Sequence, residues 1–156
     1  MKLQLNQEYA RRHLFVTVLM LGLGLWFGYD GFVRYPTTPA LELYRSIENA
    51  DPQPGFDLEA FKRQKTQTQY GFTFLCLLAA IVVGARLNQS RKFHLEWDDD
   101  GFTVNSKHYK KSDIVKIDDK NWQKKSISVL HLSDGSRVVL DAWHHSGVKE
   151  FKDYLR

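Results

Sequence analysis

The sequence predicts an α+β membrane protein: a two-helix transmembrane hairpin, then a small antiparallel β partial barrel with an amphipathic C-terminal helix. Three observations predict it. Residues 14–33 (LFVTVLMLGLGLWFGYDGFV) and 70–87 (YGFTFLCLLAAIVVGARL) are apolar runs almost free of charge. From residue 93 onward, apolar residues recur instead in short alternating stretches separated by Asp-Gly turns, and the chain closes with apolar residues at helical spacing. At about 1.5 Å of rise per residue, roughly 18 residues cover about 27 Å, close to the thickness of bilayer hydrocarbon.

The totals agree with this division. The 156 residues suffice for one compact domain of about 60 to 70 residues beside a membrane anchor. A mean hydropathy of -0.41 averages two apolar segments with a strongly polar remainder, so windows along the chain are more informative than the mean. The single cysteine, Cys76, lies within the second apolar run; this excludes an intramolecular disulfide and a cysteine-based zinc site. A net charge of +4 with the two signs interspersed argues against a nucleic-acid partner and is compatible with an anionic membrane surface.

Residues 1–12 read as a polar cytoplasmic segment ending in Arg11 and Arg12, and residues 13–33 as the first transmembrane helix. The basic start resembles a signal peptide, but the apolar core is as long as a span and no small-x-small cleavage site comes after it, so an uncleaved signal anchor is expected. Trp26, Phe27, Tyr29, Phe32 and Tyr35 then mark the far interface, with Asp30 solvated at the span end. Gly24 and Gly28 in the first run, and Ala80 and Gly84 in the second, form small-xxx-small pairs that allow close helix packing.

Residues 34–69 form an extracytoplasmic loop in this reading, with two short amphipathic helices. Thr38 is expected to cap the first, over 39–49, with Pro39 at its first position; Asp57 caps a second that runs toward the second span. Residues 70–87 are the second transmembrane helix. Arg86, Arg91 and Lys92 at its exit, with Arg11 and Arg12 before the first span, place both termini in the cytoplasm.

Residues 88–156 form the cytoplasmic domain. Strands are expected near 93–97, 102–105, 107–110, 113–118, 126–132 and 137–141, and after them a helix from about Ser146, a candidate N-cap, with Val148, Phe151 and Leu155 on its apolar side. The order of a strand, an Asp-Gly turn and a second strand, then YKKSDIVKID, then SISVLHLSDGSRVVLDAW and a terminal helix ending FKDYLR, resembles the bacterial PH-like domains. The likeness is greatest to membrane-anchored forms with two spans ahead of the domain, and it covers about 92–156. It implies a binding or scaffolding module without catalysis.

Residue chemistry points the same way. Asp98, Asp99 and Asp100 before Gly101 lack the alternating ligands and distant Glu of a calcium loop and read as a hairpin turn. His144 and His145 lack companions at metal-ligand spacing. No nucleophile elbow, triad signature or phosphate-binding glycine loop occurs, so no enzyme, no cofactor and no metal are expected. Trp122, Lys124 and Lys125, with Arg91 and Lys92, are the candidate lipid or partner surface: an aromatic among cations can sit at a headgroup interface. The expected function is an interaction or assembly module, an accessory subunit of a membrane complex. Anionic-lipid recognition by the same domain is the alternative, and a sensor using the 34–69 loop is a second one.

Overall fold

A computed structural model describes every residue, Met1–Arg156. The chain forms two compact units, one comprising Met1–Leu14 and Ala85–Arg156, the other Phe15–Gly84. It is a mixed α/β chain, with its long helices in the N-terminal half and small antiparallel sheets beyond them.

In the helical unit, α1 (Gln7–Tyr29) passes into a π-helical turn at Asp30–Arg34 and ends in the short α2 (Tyr35–Thr37). After α3 (Ala40–Glu48), the 35-residue α4 (Leu58–Lys92) returns. Two helical stretches, Gln7–Thr37 and Leu58–Lys92, are long and apolar enough to cross a membrane. Of their apolar windows only 17% and 11% is buried by the protein itself. Phe15, Val18, Leu25, Trp26, Phe74, Leu75 and Ile81 are among the large apolar side chains left uncovered.

Small residues set how closely the helices approach. A Cβ at Gly24 would lie 3.2 Å from Leu77 Cδ2, and one at Gly31 would lie 3.0 Å from Tyr70 Cδ1 and 3.1 Å from Gln69 Cβ. Gly28 faces Thr73, Gly84 faces Thr17, and Ala80 is buried. Phe27–Phe72 and Phe32–Tyr70 ring pairs, with centroids 5.2 and 4.6 Å apart, fill the space beside them. Asp30, expected in solvent at a span end, is instead buried, with Arg34 Nη1 3.5 Å from its Oδ1. Asp30 is the first residue of the π-helical turn, and Arg34, its ion-pair partner, is the last.

Asp57 caps α4 through the Ala60 amide at 2.9 Å, and the helix runs from that cap without interruption to Lys92, so the second amphipathic piece is the first part of α4. Thr38 does not cap α3. Its hydroxyl donates to the Arg34 carbonyl at 2.7 Å, and Pro39 occupies the N-cap position with extended ψ. Asn49, at φ 54°, ends α3 in the left-handed region. Lys62 Nζ ties the segment down by donating to the Pro36 and Thr38 carbonyls at 2.9 and 2.8 Å, while Tyr44, Phe56 and Phe61 form a ring cluster beside it.

The other unit holds two three-stranded antiparallel sheets. The first joins β2 (Leu95–Trp97), β3 (Phe102–Val104) and β4 (Lys107–Tyr109); the second joins β5 (Ile114–Asp118), β6 (Ile127–Leu132) and β7 (Arg137–Asp141). Asn105 and Ser106, both at positive φ, make the two-residue turn between β3 and β4. Gly101 is required on steric grounds, since a Cβ there would lie 2.3 Å from the Tyr109 carbonyl oxygen. α6 (Val148–Leu155) packs Val148 and Phe151 onto a core of Leu95, Trp97, Phe102, Leu130 and Leu140. Its N-cap is Gly147, at φ 90°, and not Ser146, whose hydroxyl donates to the Gln4 carbonyl at 3.2 Å.

The polar N-terminal segment belongs to this unit. The Leu3 amide donates to the Leu95 carbonyl at 2.9 Å and the Trp97 amide to the Met1 carbonyl at 2.8 Å, so the first residues lie along β2. β1 (Gln4–Leu5) then pairs with β8 (His145–Ser146). Leu3 joins the core, and Asn6 caps α1 by accepting the Glu8 amide at 3.0 Å.

Replacing Leu3 by Ala should cost about 2–5 kcal/mol, as for other buried leucines, read as a lowered denaturant midpoint of the full chain in neutral detergent. An unchanged midpoint would show that Met1–Leu14 is not part of the folded unit. Gly31→Val should lose about 1–3 kcal/mol through overpacking, whereas Gly22→Val, where a Cβ meets nothing within 4 Å, should stay within about 0.5 kcal/mol; equal effects at the two glycines would refute the close helix contact.

Candidate functional site

Beside the end of α4 lies a cleft of about 520 Å³. Arg86, Gln89 and Ser90 reach it from the last turns of that helix, at spacings of three and four residues that share one face. β7 contributes Arg137, which projects outward because strand alternation turns the next residue, Val138, into the core. Asp141, the last residue of β7, and His144, in the turn after it, also line the cleft, and Phe93, Val104, Val138 and Val139 supply apolar lining.

Local hydrogen bonding explains the position of the histidines. Asp141 Oδ1 accepts the Trp143 amide at 2.8 Å and so folds the chain back on itself, bringing His144 Nδ1 to 3.5 Å from Asp141 Oδ2. The Tyr9 ring lies 4.3 Å from the His144 ring and 3.9 Å from that of His13. The Tyr9 hydroxyl is buried without a hydrogen-bond partner. His145 is buried, with Nε2 3.0 Å from the Ser90 carbonyl oxygen. The adjacent histidines thus have different surroundings, with ring planes 76° apart.

The cleft's charge is unbalanced. No hydrogen bond or ion pair within the chain engages the guanidinium of Arg86 or Arg137. Asp141 is the one carboxylate in the lining, and its oxygens already serve the turn and His144. Burial holds the His144 imidazole below the ordinary histidine value; Asp141 opposes the shift, while His145, His13 and Arg86 reinforce it.

The residues singled out from sequence occupy other places. Trp122 opens the one-turn helix α5 (Trp122–Lys125) but is half-buried against the core, with Lys152 Nζ 3.8 Å from its ring centroid. Lys152 is itself buried and donates to Asp119 at 2.6 Å; this bond and that from Ser128 hold the Asp119 carboxyl below its usual range. The Trp122 ring therefore packs, half-buried, against the core and is covered by a cation. Lys124, Lys125, Arg91 and Lys92 are exposed, and none of the five lines the cleft. Asp98 to Asp100 form a turn in which Asp98 Oδ1 accepts the Asp100 amide at 3.0 Å. His108 faces Thr103, and His131 lies on β6. In the sequence Arg86 marks the exit of an apolar run and His144 one of two adjacent histidines, and no spacing signal links either to Arg137, so far away in the chain.

The lowered value at His144 sets a pH dependence. The unfolded chain takes up this proton more readily than the folded one, so stability is present above 6.5 and falls as the pH drops through 6.5 toward the folded value. His144→Gln should flatten that part of the stability profile, measured by denaturant midpoints at several pH values in neutral detergent. A profile as steep as the parent's would assign the effect to another group.

No protein-family model, curated protein or solved structure matches the chain.

Proposed function

We propose that this is a non-enzymatic, membrane-anchored protein whose two long helices span a bacterial inner membrane with both termini cytoplasmic, and whose sheet-and-helix unit is a PH-like interaction module in a larger membrane complex. One observation carries the anchoring: two helices of spanning length whose apolar windows are only 17% and 11% covered by the protein. At about 25 cal/mol per Å² of apolar surface, leaving these leucines, phenylalanines and tryptophans in water is costly, and hydrocarbon removes the cost. Arg11, Arg12, Arg86, Arg91 and Lys92 all belong to the folded sheet unit, so the positive charge lies on the side proposed as cytoplasmic.

The assembly role is supported by apolar surface on that same unit. Val115, at 71% exposure, and Ile117, at 40%, are exposed apolar side chains on β5. Charged groups cover most of the remaining exterior, and the unit's aromatic interior is already closed by α6.

Extraction and native mass measurement test both halves of the proposal. The protein should remain with membranes through alkaline carbonate and be released by neutral detergent, and it should then carry a stoichiometric protein partner in native mass spectrometry. Release by carbonate alone would overturn the anchoring; a lone monomer after mild extraction would overturn the assembly role.

A further inference from the structure

We propose that the cleft formed by Arg86, Arg137 and His144 binds the phosphate of an anionic phospholipid headgroup. The site differs from the surface that the sequence suggested, since Trp122, Lys124 and Lys125 all lie outside the cleft.

Three features of the cleft specify this ligand chemistry. The first is free donor capacity. Two guanidiniums, from separate elements, line one cavity of about 520 Å³, and neither is engaged within the protein. A guanidinium offers a planar fork of donors that matches phosphate oxygens, and charge-assisted bonds of this kind are about twice as strong as neutral ones. The amide of Gln89 adds a donor that distinguishes the site from a bare cationic patch, and the His144 ring, turned to Asp141 through Nδ1, forms part of its wall.

The second is convergence. Cations without a partner are common in this unit, Lys116, Lys120 and Lys149 among them; what marks Arg86 and Arg137 is that both line one cavity whose single carboxylate, Asp141, is occupied by the Trp143 amide and His144.

The third is the apolar lining. Phe93, Val104, Val138 and Val139 border the guanidiniums, so a ligand that fills the cleft presents both an anion and hydrocarbon. An amphiphile meets that description better than inorganic phosphate does. Arg86 also comes directly after the apolar run of α4, four residues beyond Val82, and so stands at headgroup depth if that run spans the bilayer; this step rests on the membrane anchoring proposed above. Trp143, exposed on the same turn as His144, is the kind of side chain that settles at a headgroup interface.

The test uses the full-length protein, delipidated in neutral detergent, and monomeric short-chain lipids. Short-chain phosphatidylglycerol should bind saturably, and short-chain phosphatidylcholine at least tenfold more weakly. The double variant Arg86→Gln/Arg137→Gln should weaken phosphatidylglycerol binding at least tenfold, while Lys124→Gln/Lys125→Gln, which removes the same charge from exposed positions, should change it less than twofold. Arg137→Lys keeps the charge but loses the fork, and should fall between the parent and the double variant. Circular dichroism and melting curves of each variant establish that it is folded. Equal losses in the two double variants would reduce the effect to net charge and overturn the site. Inorganic phosphate should bind far more weakly than the lipid; binding as tight, with the same arginine dependence, would overturn the lipid assignment in favour of a soluble phosphate compound. Because this assay needs no bilayer, its failure is separate from failure of the carbonate extraction that tests anchoring.

Discussion

Backbone pairing between the first three residues and β2 sets the path of the chain into α1 and the placing of the residues around its start. The Leu3 amide and the Met1 carbonyl and ammonium bind the backbone of Leu95 and Trp97. Once these bonds form, Asn6 is fixed: its amide reaches the His144 carbonyl at 2.8 Å while its side chain starts α1. Tyr9, in the first turns of that helix, then meets His144, and Leu3 enters the core. The pairing also covers an edge of the β2–β4 sheet, which would otherwise expose unpaired backbone groups. An N-terminus that would ordinarily fray is in this way a structural part of the folded unit.

The treatment of charge differs between the two sides of that unit. Near α6, Lys152 is buried because it has both a carboxylate and an aromatic face: Asp119 accepts its proton donor and the Trp122 ring lies beneath it. Ser128, also buried, donates to the same Asp119 carboxylate at 2.6 Å. Near the end of α4, the two guanidiniums of the cleft have no such compensation. A solvated arginine is ordinary by itself. Two that converge with a histidine on an apolar-lined concavity form a place where an anion gains more than it would from either residue alone.

What the sequence made legible was local. The apolar runs are long and unbroken, so the helices that contain them announce themselves, and the alternation of Leu95 with Trp97, or of Val138 with Leu140, reports one buried face directly. The turns at Gly101 and Gly135 come from residue type. Non-local pairing left no such trace. Gln4 and Leu5 look like part of a polar tail until Ser146 and His145 are placed opposite them. Ser146 has the chemistry of a helix cap, but its hydroxyl is drawn to Gln4, and Gly147 takes the cap position because the backbone there is left-handed. Thr38 fails as a cap for a similar reason, its hydroxyl bonding back to Arg34. Trp122 among lysines suggested an interface; the cation that matters to it is Lys152, thirty residues further on and invisible to any window. The cleft joins α4, β7 and the turn before β8, so its residues share no sequence pattern at all.

Two kinds of surface remain uncompensated by the chain. The long helices leave hydrocarbon uncovered, and the cleft leaves guanidiniums unengaged. Water serves the second well and the first badly; an apolar protein partner would serve the first and not the second. A phospholipid layer supplies what both lack, acyl chains over roughly 30 Å and phosphates at its boundary. The order along α4 matches that layering, with Arg86 directly after the apolar run, and Gln89 and Ser90 coming next on the same face. On the proposed reading, the helix that anchors the protein also carries the first residue of its binding site.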